Sequence, residues 1–501
     1  MNISYKKVKS NKTILSFVVL YICMQTAVSF SQGYLNFPID TLVRDSFYNY
    51  RSMVKFDNSG FIHSVNTRQY DTPSNTRDIF YRTNRSGSMV TTRITDNNVD
   101  DNYASFGFDN GGNVHVGWER RDGSNNFQLI YSNNRGGTFM EPVWITTGGL
   151  NKATPFMAVG RGDSLVHFVY YTFVTGQDNA FYRSYNYITG TLGPEVSLGP
   201  AETGSENDIE VAVDGNNKVH IVFSTNVNIN GGALKYFTNE SGSLVEVPTG
   251  LSANAEYPDI VISSTNVVHI VYRLATDKRV YLIRKPSGGA LETPIPITPP
   301  SIGNPAYWRA INTDDNGRFY MTYQNSVAPA PKGFFLVHGT GNSFASPILI
   351  FEDSTASYST RGSSSVAARG NGEIVVFFDP AGLRNGVVIS DIFMKRGMLN
   401  LTGITQVNEL ASDFTLFNNY PNPFNPGTKL RFSVSPSQTT RRITLYVYDI
   451  SGKKIATLIN SYLKSGTYEA AFDGSFYSSG VYFYKLSDGV STLTKKMILV
   501  K

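Results

Sequence analysis

Six histidines occur in the 501-residue chain, and five of them stand in one recurring phrase. GGNVHVGW carries His115, NNKVHIVF carries His220, SLVHFVYY carries His167, NVVHIVYR carries His269, and GFIHSVNT carries His63. Imidazole titrates near neutral pH and is the commonest metal ligand, so a returning histidine suggests a metal centre or an acid/base set. The spacing argues against both. Successive histidines lie 52, 52, 53 and 49 residues apart, and Tyr320 and Val375 take the same place 51 and 55 residues further on. A place that accepts Tyr and Val marks a repeat rather than a reaction.

The elements around the histidines give the repeat its form. Six residues before each stand Asp57, Asp109, Arg161, Asp214, Ser263, Asp314 and Arg369; three before stand Gly60, Gly112, Ser164, Asn217, Asn266, Gly317 and Gly372. Asp-x-x-Gly between two apolar runs is a tight hairpin turn: the carboxylate accepts the turn's N–H groups and Gly or Asn takes the positive φ. Strand A precedes this turn and strand B follows it. Strand C comes next (DIFYRT, LIYS, FYRSY, LKYFT, VYLIR, FFLVH), then a second turn and strand D. Four strands per unit of about 50 residues, repeated seven times, predict an all-β, seven-bladed β-propeller over residues 32–400, with six blades as the alternative. Residues 34–42 are expected to complete the last blade. Strand B then lies about 4.8 Å or more outside strand A, which keeps equivalent histidines too far apart to share one metal, whose ligands sit about 2 Å away. Each is expected to fill a pocket in its own blade, its ring N–H bonded to a backbone or turn acceptor.

The first 31 residues read as a signal peptide. Lys6, Lys7, Lys9 and Lys12 precede the apolar run TILSFVVLYICM, and AVSFSQ offers small residues for cleavage. The run is short for a membrane span, so no transmembrane anchor is expected after cleavage. The formal charge of +5 then loses four lysines and no acids, which removes the case for nucleic acid as a partner. Cys23 is the single cysteine, so no disulfide, thiol nucleophile or Cys-bound zinc is expected.

The turn SNNRGGTF (132–139) resembles the Asp-box of sialidases and related propellers, S-x-D-x-G-x-T-W, with Asn134 and Phe139 replacing Asp and Trp. YRSMVKFDNSGFIHSVNTRQYD (50–71) is similar to the first sialidase blade. That resemblance implies Arg51 as a carboxylate-binding arginine and Asp71, or less well Asp78, as acid/base. Ser52-Met53 replaces the family's Ile-Pro, and no pattern fixes its other arginines or its nucleophile. Arg309 and Arg361 are candidates only. The D-x-x-G-x-x-H repeats also resemble secreted polysaccharide lyases, although no histidine falls at the mouth.

Propellers bind ligands where the A strands begin. Alignment places Arg51, Tyr103, Pro155, Asp208, Tyr257, Trp308 and Ser363 there, with Glu210, Asp259 and Arg309 beside them. The B–C loops are expected to add Arg68, Asp71, Asp78, Glu119, Arg120 and Arg273. Aromatic faces stack on sugars, Arg pairs with carboxylates, and paired acids serve acid/base chemistry. The ligand-binding set is therefore Arg51, Arg68, Tyr103, Asp208, Glu210, Tyr257, Asp259, Trp308 and Arg309. No metal site and no cofactor is expected; NTDDNG (312–317) could hold structural calcium, but the same residues are ordinary turn formers. GRGDS (160–164) falls where the repeat needs a turn and is not taken as an adhesion motif.

From residue 412, after a linker at 401–411, the chain reads as a small Ig-like β-sandwich. Its motifs closely resemble the type A C-terminal sorting domain of the type IX secretion system. They are Pro421, Asn422, Pro423, Phe424, Asn425 and Pro426 after Tyr420; Tyr448-Asp449 with Gly452; Gly466; Gly480 and Tyr482; and Lys495-Lys496 through Lys501. The resemblance implies handling by the type IX machinery and delivery to the medium or the outer-membrane surface. Two functions stay open: a monomeric module that binds glycan or surface protein, and a carbohydrate-active enzyme, either a sialidase-like glycosidase or a polysaccharide lyase. The first is favoured because no complete catalytic set can be named.

Overall fold

The computed structural model describes residues 39–43, 48–69, 76–173, 178–201, 209–225, 232–298, 310–325, 332–341, 343–345, 347–352, 358–359, 363–384, 387–399, 405–408, 413–425, 427–435, 441–463, 465–474 and 477–500. The chain divides into two compact units, one of Tyr34–Leu401 and one that includes Thr402–Lys501. Every element among the described residues is a strand.

In the first unit each repeat forms an antiparallel sheet. Sheet 1 holds Tyr48–Phe56, Ile62–Gln69, Arg77–Thr83 and Val90–Arg93. Sheet 2 holds Asp101–Phe108, Val114–Arg121, Phe127–Asn133 and Val143–Trp144. Sheet 3 holds Asn151–Val159, Leu165–Phe173, Asp178–Asn186 and Thr191–Leu192, with Val196–Ala201 added. Sheet 4 begins at Ile209–Val213, sheet 5 at Ala255–Ile262, sheet 6 at Ile311–Thr313 and sheet 7 at Ser364–Ala368. The first strand of each sheet packs on that of the next, and Ser364–Ala368 packs on Tyr48–Phe56, so the inner strands close a ring. The outermost strand of sheet 7 is Ile39–Val43, antiparallel to Ile392–Met398. The N-terminal stretch therefore ties the two ends of the ring together. This is a β-propeller fold. One feature departs from the repeat: the hairpin Ala381–Arg384 and Val387–Ser390 leaves sheet 7 and pairs with the inner strand of sheet 1.

The strands alternate as a face-to-face stack requires. In Val114–Arg121, Val114, Val116 and Trp118 join one inter-sheet core, while His115 points the other way. Trp118, Tyr131, Tyr170 and Phe168 are fully buried, each contributing about 1.5–3 kcal/mol by removal from water.

The seven A–B turns all place their third-from-histidine residue in the left-handed region: Gly60, Gly112, Ser164, Asn217, Asn266, Gly317 and Gly372 have φ between 58° and 90°. Asp57, Asp109, Asp214 and Asp314 each accept backbone N–H bonds of their own turn. The same carboxylates face the histidines. His63 Nε2 lies 3.1 Å from Asp57 Oδ2, and His115 Nε2 lies 3.4 Å from Asp109 Oδ2. The other ring nitrogen meets a tyrosine hydroxyl of strand C: Tyr81 at 2.6 Å, Tyr131 at 2.5 Å, Tyr182 at 2.8 Å and Tyr236 at 2.7 Å for His63, His115, His167 and His220. In each case the tyrosine stands two residues before the histidine's cross-strand partner, a diagonal contact across one sheet face. Burial holds His115, His220 and His269 down to about 4. In His63 the ring N–H donates to Asp57 and the bare nitrogen accepts the Tyr81 O–H, whereas His269, whose turn has Ser263 in the aspartate's place, donates its Nδ1–H to the Val267 carbonyl at 3.0 Å. In sheet 6, Tyr320 replaces the histidine and its hydroxyl donates directly to Asp314 Oδ2 at 3.0 Å.

In sheet 3, alignment assigned the aspartate's place to Arg161, but the turn there is one residue longer. His167 pairs across the ladder with Ala158, nine residues away, whereas His63 pairs with Lys55, eight away. The extra residue brings Asp163 to the histidine, with Oδ2 3.8 Å from Nε2, while its Oδ1 accepts the Leu165 N–H. The carboxylate of GRGDS is thereby committed to its own turn.

The second unit contains two four-stranded antiparallel sheets. Thr405–Asn408, Gly466–Asp473, Gly427–Val434 and Thr415–Leu416 form one; Lys454–Leu463, Arg441–Tyr448, Gly480–Ser487 and Thr492–Leu499 form the other. They share a core of Leu430, Phe432, Leu445, Val447, Tyr484 and Met497.

Candidate functional site

All seven inner strands line a central channel of about 630 Å3. Its two ends are built differently. At the A–B turn end, neighbouring sheets are stitched to each other. Asn110 donates to the Arg161 carbonyl, and Arg161 N–H donates to Asn217 Oδ1 at 2.8 Å. Gly215 N–H donates to Asn266, Ser264 Oγ to the Asp315 carbonyl, and Asn316 to the Gly370 carbonyl, all at 2.8 Å. Arg85 donates to the Gly112 carbonyl at 2.8 Å, and Arg369 lies 5.8 Å over Phe56. These contacts link every sheet to its neighbour around the ring.

At the opposite end, where the inner strands begin, four strands are bulged. The ladder skips between Tyr50 and Met53, Asn102 and Ser105, Ala153 and Phe156, and Glu256 and Asp259. A bulge re-aims side chains at the rim of a sheet. Inside these bulges Arg51 has φ 60°, Tyr103 54°, Thr154 52° and Tyr257 50°. A Cβ in the left-handed region costs about 1–2 kcal/mol, and none of these residues is a Gly or Asn that would avoid it.

Arg51 and Tyr103 are brought together. The guanidinium carbon lies 3.2 Å from the Tyr103 ring centroid, and an N–H reaches the Tyr103 hydroxyl at 2.5 Å. In sheet 5, Arg273 lies 4.6 Å over the Tyr257 ring and donates to Glu256 Oε2 at 2.7 Å. Asp259 is buried and spans two sheets, accepting the Ala310 N–H at 3.0 Å. Glu210 is buried on its inner strand, and Arg68 lies 5.5 Å over Phe80. Asp71, Asp208, Trp308, Arg309 and Arg361 lie outside the described residues, as do Pro426 and Lys501 of the tail.

Two expectations about position are corrected. Arg68, Asp78, Glu119, Arg120 and Arg273 stand on strands rather than in B–C loops, because strand B extends at least four residues beyond its histidine and, in sheet 1, strand C already begins at Arg77. The left-handed residue of sheet 3 is Thr154, not Pro155; the longer turn shifts the count from His167 by one. Asp78 is buried and bonded to Arg93 and Thr95 at 2.6 and 2.8 Å. Burial raises its pKa against those partners.

Two carboxylates lie beneath the mouth: Glu119, expected in a B–C loop but left out of the ligand-binding set, and Asp379, which no pattern singled out. Glu119 accepts the Thr154 N–H at 2.9 Å and the Asn102 amide at 3.2 Å. Asp379 accepts the Ser52 N–H at 3.3 Å and the Ser363 hydroxyl at 2.7 Å. Each reaches from strand B of one sheet into the bulge of the next. Burial pushes Glu119 up to about 7, against the pull of the Thr154 N–H and of Arg51 and Arg77. Burial pushes Asp379 up to about 7 as well, against its Ser363 and Ser52 donors. The available signal was an acid four residues after the histidine position, on the histidine's own face of an otherwise apolar strand.

In the tail unit, Phe424 is buried against Phe472, with ring centroids 5.9 Å apart. Its N–H and C=O bond Ile498 and Val500 at 2.9 and 3.0 Å. Pro421, Asn422, Pro423 and Asn425 are exposed around it. Gly480 opens a strand, and Tyr482 is buried with its hydroxyl donating to the Ser478 carbonyl at 2.6 Å.

Residues 418–501 match the family described as secretion system C-terminal sorting domain. This bears out the resemblance to type IX cargo: the tail marks the chain for that machinery and for secretion to the cell surface or the medium. No curated protein matches the chain. Among solved structures, a protein of unknown function from Dyadobacter fermentans is similar at 11% identity, covering 72% of this chain and 98% of its own, with TM-score 0.42. The polysaccharide lyase Uly1 is similar at 11% identity, covering 70% and 90%, TM-score 0.41. A lectin from Burkholderia pseudomallei is similar at 12% identity, covering 69% and 99%, TM-score 0.45.

Proposed function

We propose that this is a secreted, seven-bladed β-propeller that binds a glycan at the bulged mouth of its channel. Residues 1–31 act as the export signal, residues 32–400 as the propeller, and an Ig-like sandwich of residues 412–501, after a linker at 401–411, as the address read by the type IX machinery. The observation that carries the binding reading is the left-handed set Arg51, Tyr103, Thr154 and Tyr257. Strain held at side chains of these types calls for a use of the side chains themselves. Half-exposed Tyr rings offer stacking faces to sugar rings, and Arg offers donors to hydroxyls or carboxylates.

The test is a panel of soluble polysaccharides read for both retention and product release. Retention without release, weakened by Arg51→Ala in a folded variant, is the expected result. Product release that disappears with Arg51→Ala assigns the mouth to a carbohydrate-active enzyme instead. Retention unaffected by Arg51→Ala removes the mouth from the function.

A further inference from the structure

Two places at the mouth repeat each other. Tyr103 in sheet 2 and Tyr257 in sheet 5 are both left-handed, at φ 54° and 50°, and both half-exposed. Each carries an arginine against its ring, Arg51 at 3.2 Å and Arg273 at 4.6 Å. Each platform also has a buried carboxylate nearby: Glu119, on which the Arg51 charge acts, and Glu256, which pairs with Arg273 at 2.7 Å. The likeness is one of construction, since both tyrosines sit twelve residues before their histidine and inside the same bulge.

The two platforms are three sheets apart on a closed ring of seven inner strands. Sheets packed face to face are about 10 Å apart, so three steps around such a ring span up to about 22 Å. One sugar ring cannot bridge that distance, whereas several linked sugars can. A site for a chain end would need one enclosed platform. Two half-exposed tyrosines held in the same way suit two internal stretches of one repeating polymer.

We propose that the mouth takes a linear polysaccharide laid across it, with one stretch stacked on the Arg51–Tyr103 platform and another on the Arg273–Tyr257 platform. This rests on the glycan reading above. The half-exposed phenol rings supply the flat surface that suits the apolar face of a sugar ring; Arg51 stands part-exposed against one of them, whereas Arg273 is buried, bonded to Glu256 and braces the other from behind. Occupying both platforms makes the second contact intramolecular, so affinity rises with chain length until both are covered and then levels.

The test is calorimetric titration of the full mature chain with two ladders of one to eight sugars, oligogalacturonides as charged probes and cello-oligosaccharides as neutral ones. In at least one ladder the affinity is expected to rise about tenfold or more between the disaccharide and the longer members, then plateau. Tyr257→Asn and Tyr103→Asn each keep a residue suited to the left-handed backbone; each is expected to erase the length gain while leaving disaccharide binding at the other platform. Unchanged thermal unfolding shows that the variants fold. Equal affinity for short and long members, or a length gain that survives both variants, overturns the spanning mode alone. Absence of binding by every member of both ladders overturns this inference, and the polysaccharide panel decides the glycan reading separately: retention there keeps it, and no retention overturns it as well.

Discussion

Both ends of the channel use left-handed backbone, and they use it with different residues. At the turn end six of the seven positive φ positions are Gly or Asn, residues that take it at low cost, and Ser164 is the exception. At the mouth they are Arg, Tyr, Thr and Tyr, for which it is strained. The side chains behind them differ as well. Turn-end aspartates face neutral histidines and close a network within one sheet, whereas the mouth's Glu119 and Asp379 reach across to the next sheet's backbone. One end takes its turns at residues suited to them. The other holds strained side chains at a rim, the observation on which the proposed binding mouth rests.

The sharpest way to break this contrast is Asp57→Ala. It removes a buried carboxylate bonded to His63, Arg85 and two backbone N–H groups. The expected loss is about 3 kcal/mol in denaturant unfolding, since hydrogen bonds to a charged group go while Arg85 is left in solvent, with ligand affinity of the folded fraction unchanged. A loss below about 1 kcal/mol would show that the turn network is not what holds the sheets.

The two ends also differ in the sign of their pH response. His115, His220 and His269 sit near 4, below their unfolded value of 6.5. Their contribution is full above about 6.5 and is lost as pH falls toward 4. Glu119 sits at about 7, above its unfolded value of 4.5, so its contribution is full below about 4.5 and is lost as pH rises through 7. Gln keeps an oxygen for the Thr154 N–H and cannot ionise. Glu119→Gln is therefore expected to remove the fall in stability between about pH 4.5 and 7, gaining up to about 3 kcal/mol over the native chain at pH 8, and to match the native chain's pH dependence below about 4.5. A curve that keeps this fall would place the ionisation elsewhere.

Gly60→Ala tests the turn end by backbone alone. Gly60 has φ 84°, and a Cβ there would lie 2.3 Å from the Arg369 guanidinium. A loss of about 1–2 kcal/mol is expected. Tyr103→Asn is the counterpart at the mouth and has the smallest effect on stability, within about 1 kcal/mol either way, because relief of strain offsets the lost contact with Arg51. Its effect should fall on ligand binding instead. If both variants lost the same stability, the difference between the two ends would lie in packing rather than in strain.

Much of the fold was legible because the repeat is written in turn chemistry. The D-x-x-G frame located the hairpins, and a period near 52 located the sheets. Glycine and aspartate at fixed offsets act locally, so their consequence can be read from neighbours in sequence. The histidine's tyrosine partner was harder to read, because a diagonal cross-strand contact depends on register. Thr154 was displaced by one because a single inserted turn residue shifts every count taken from the histidine. Glu119 stayed outside the ligand-binding set and Asp379 outside every pattern because their partners belong to the next sheet, about 35 residues from Glu119 and more than 300 from Asp379.

The sequence by itself determined the strands, their turns, the structural role of the histidines and the address carried by the tail, since each rests on residues a few positions apart. Only the tertiary structure decided which end of the channel is stitched and which is strained. That choice depends on ring closure, which brings Ser364–Ala368 against Tyr48–Phe56 and sets Arg51 on Tyr103, contacts that no local pattern encodes.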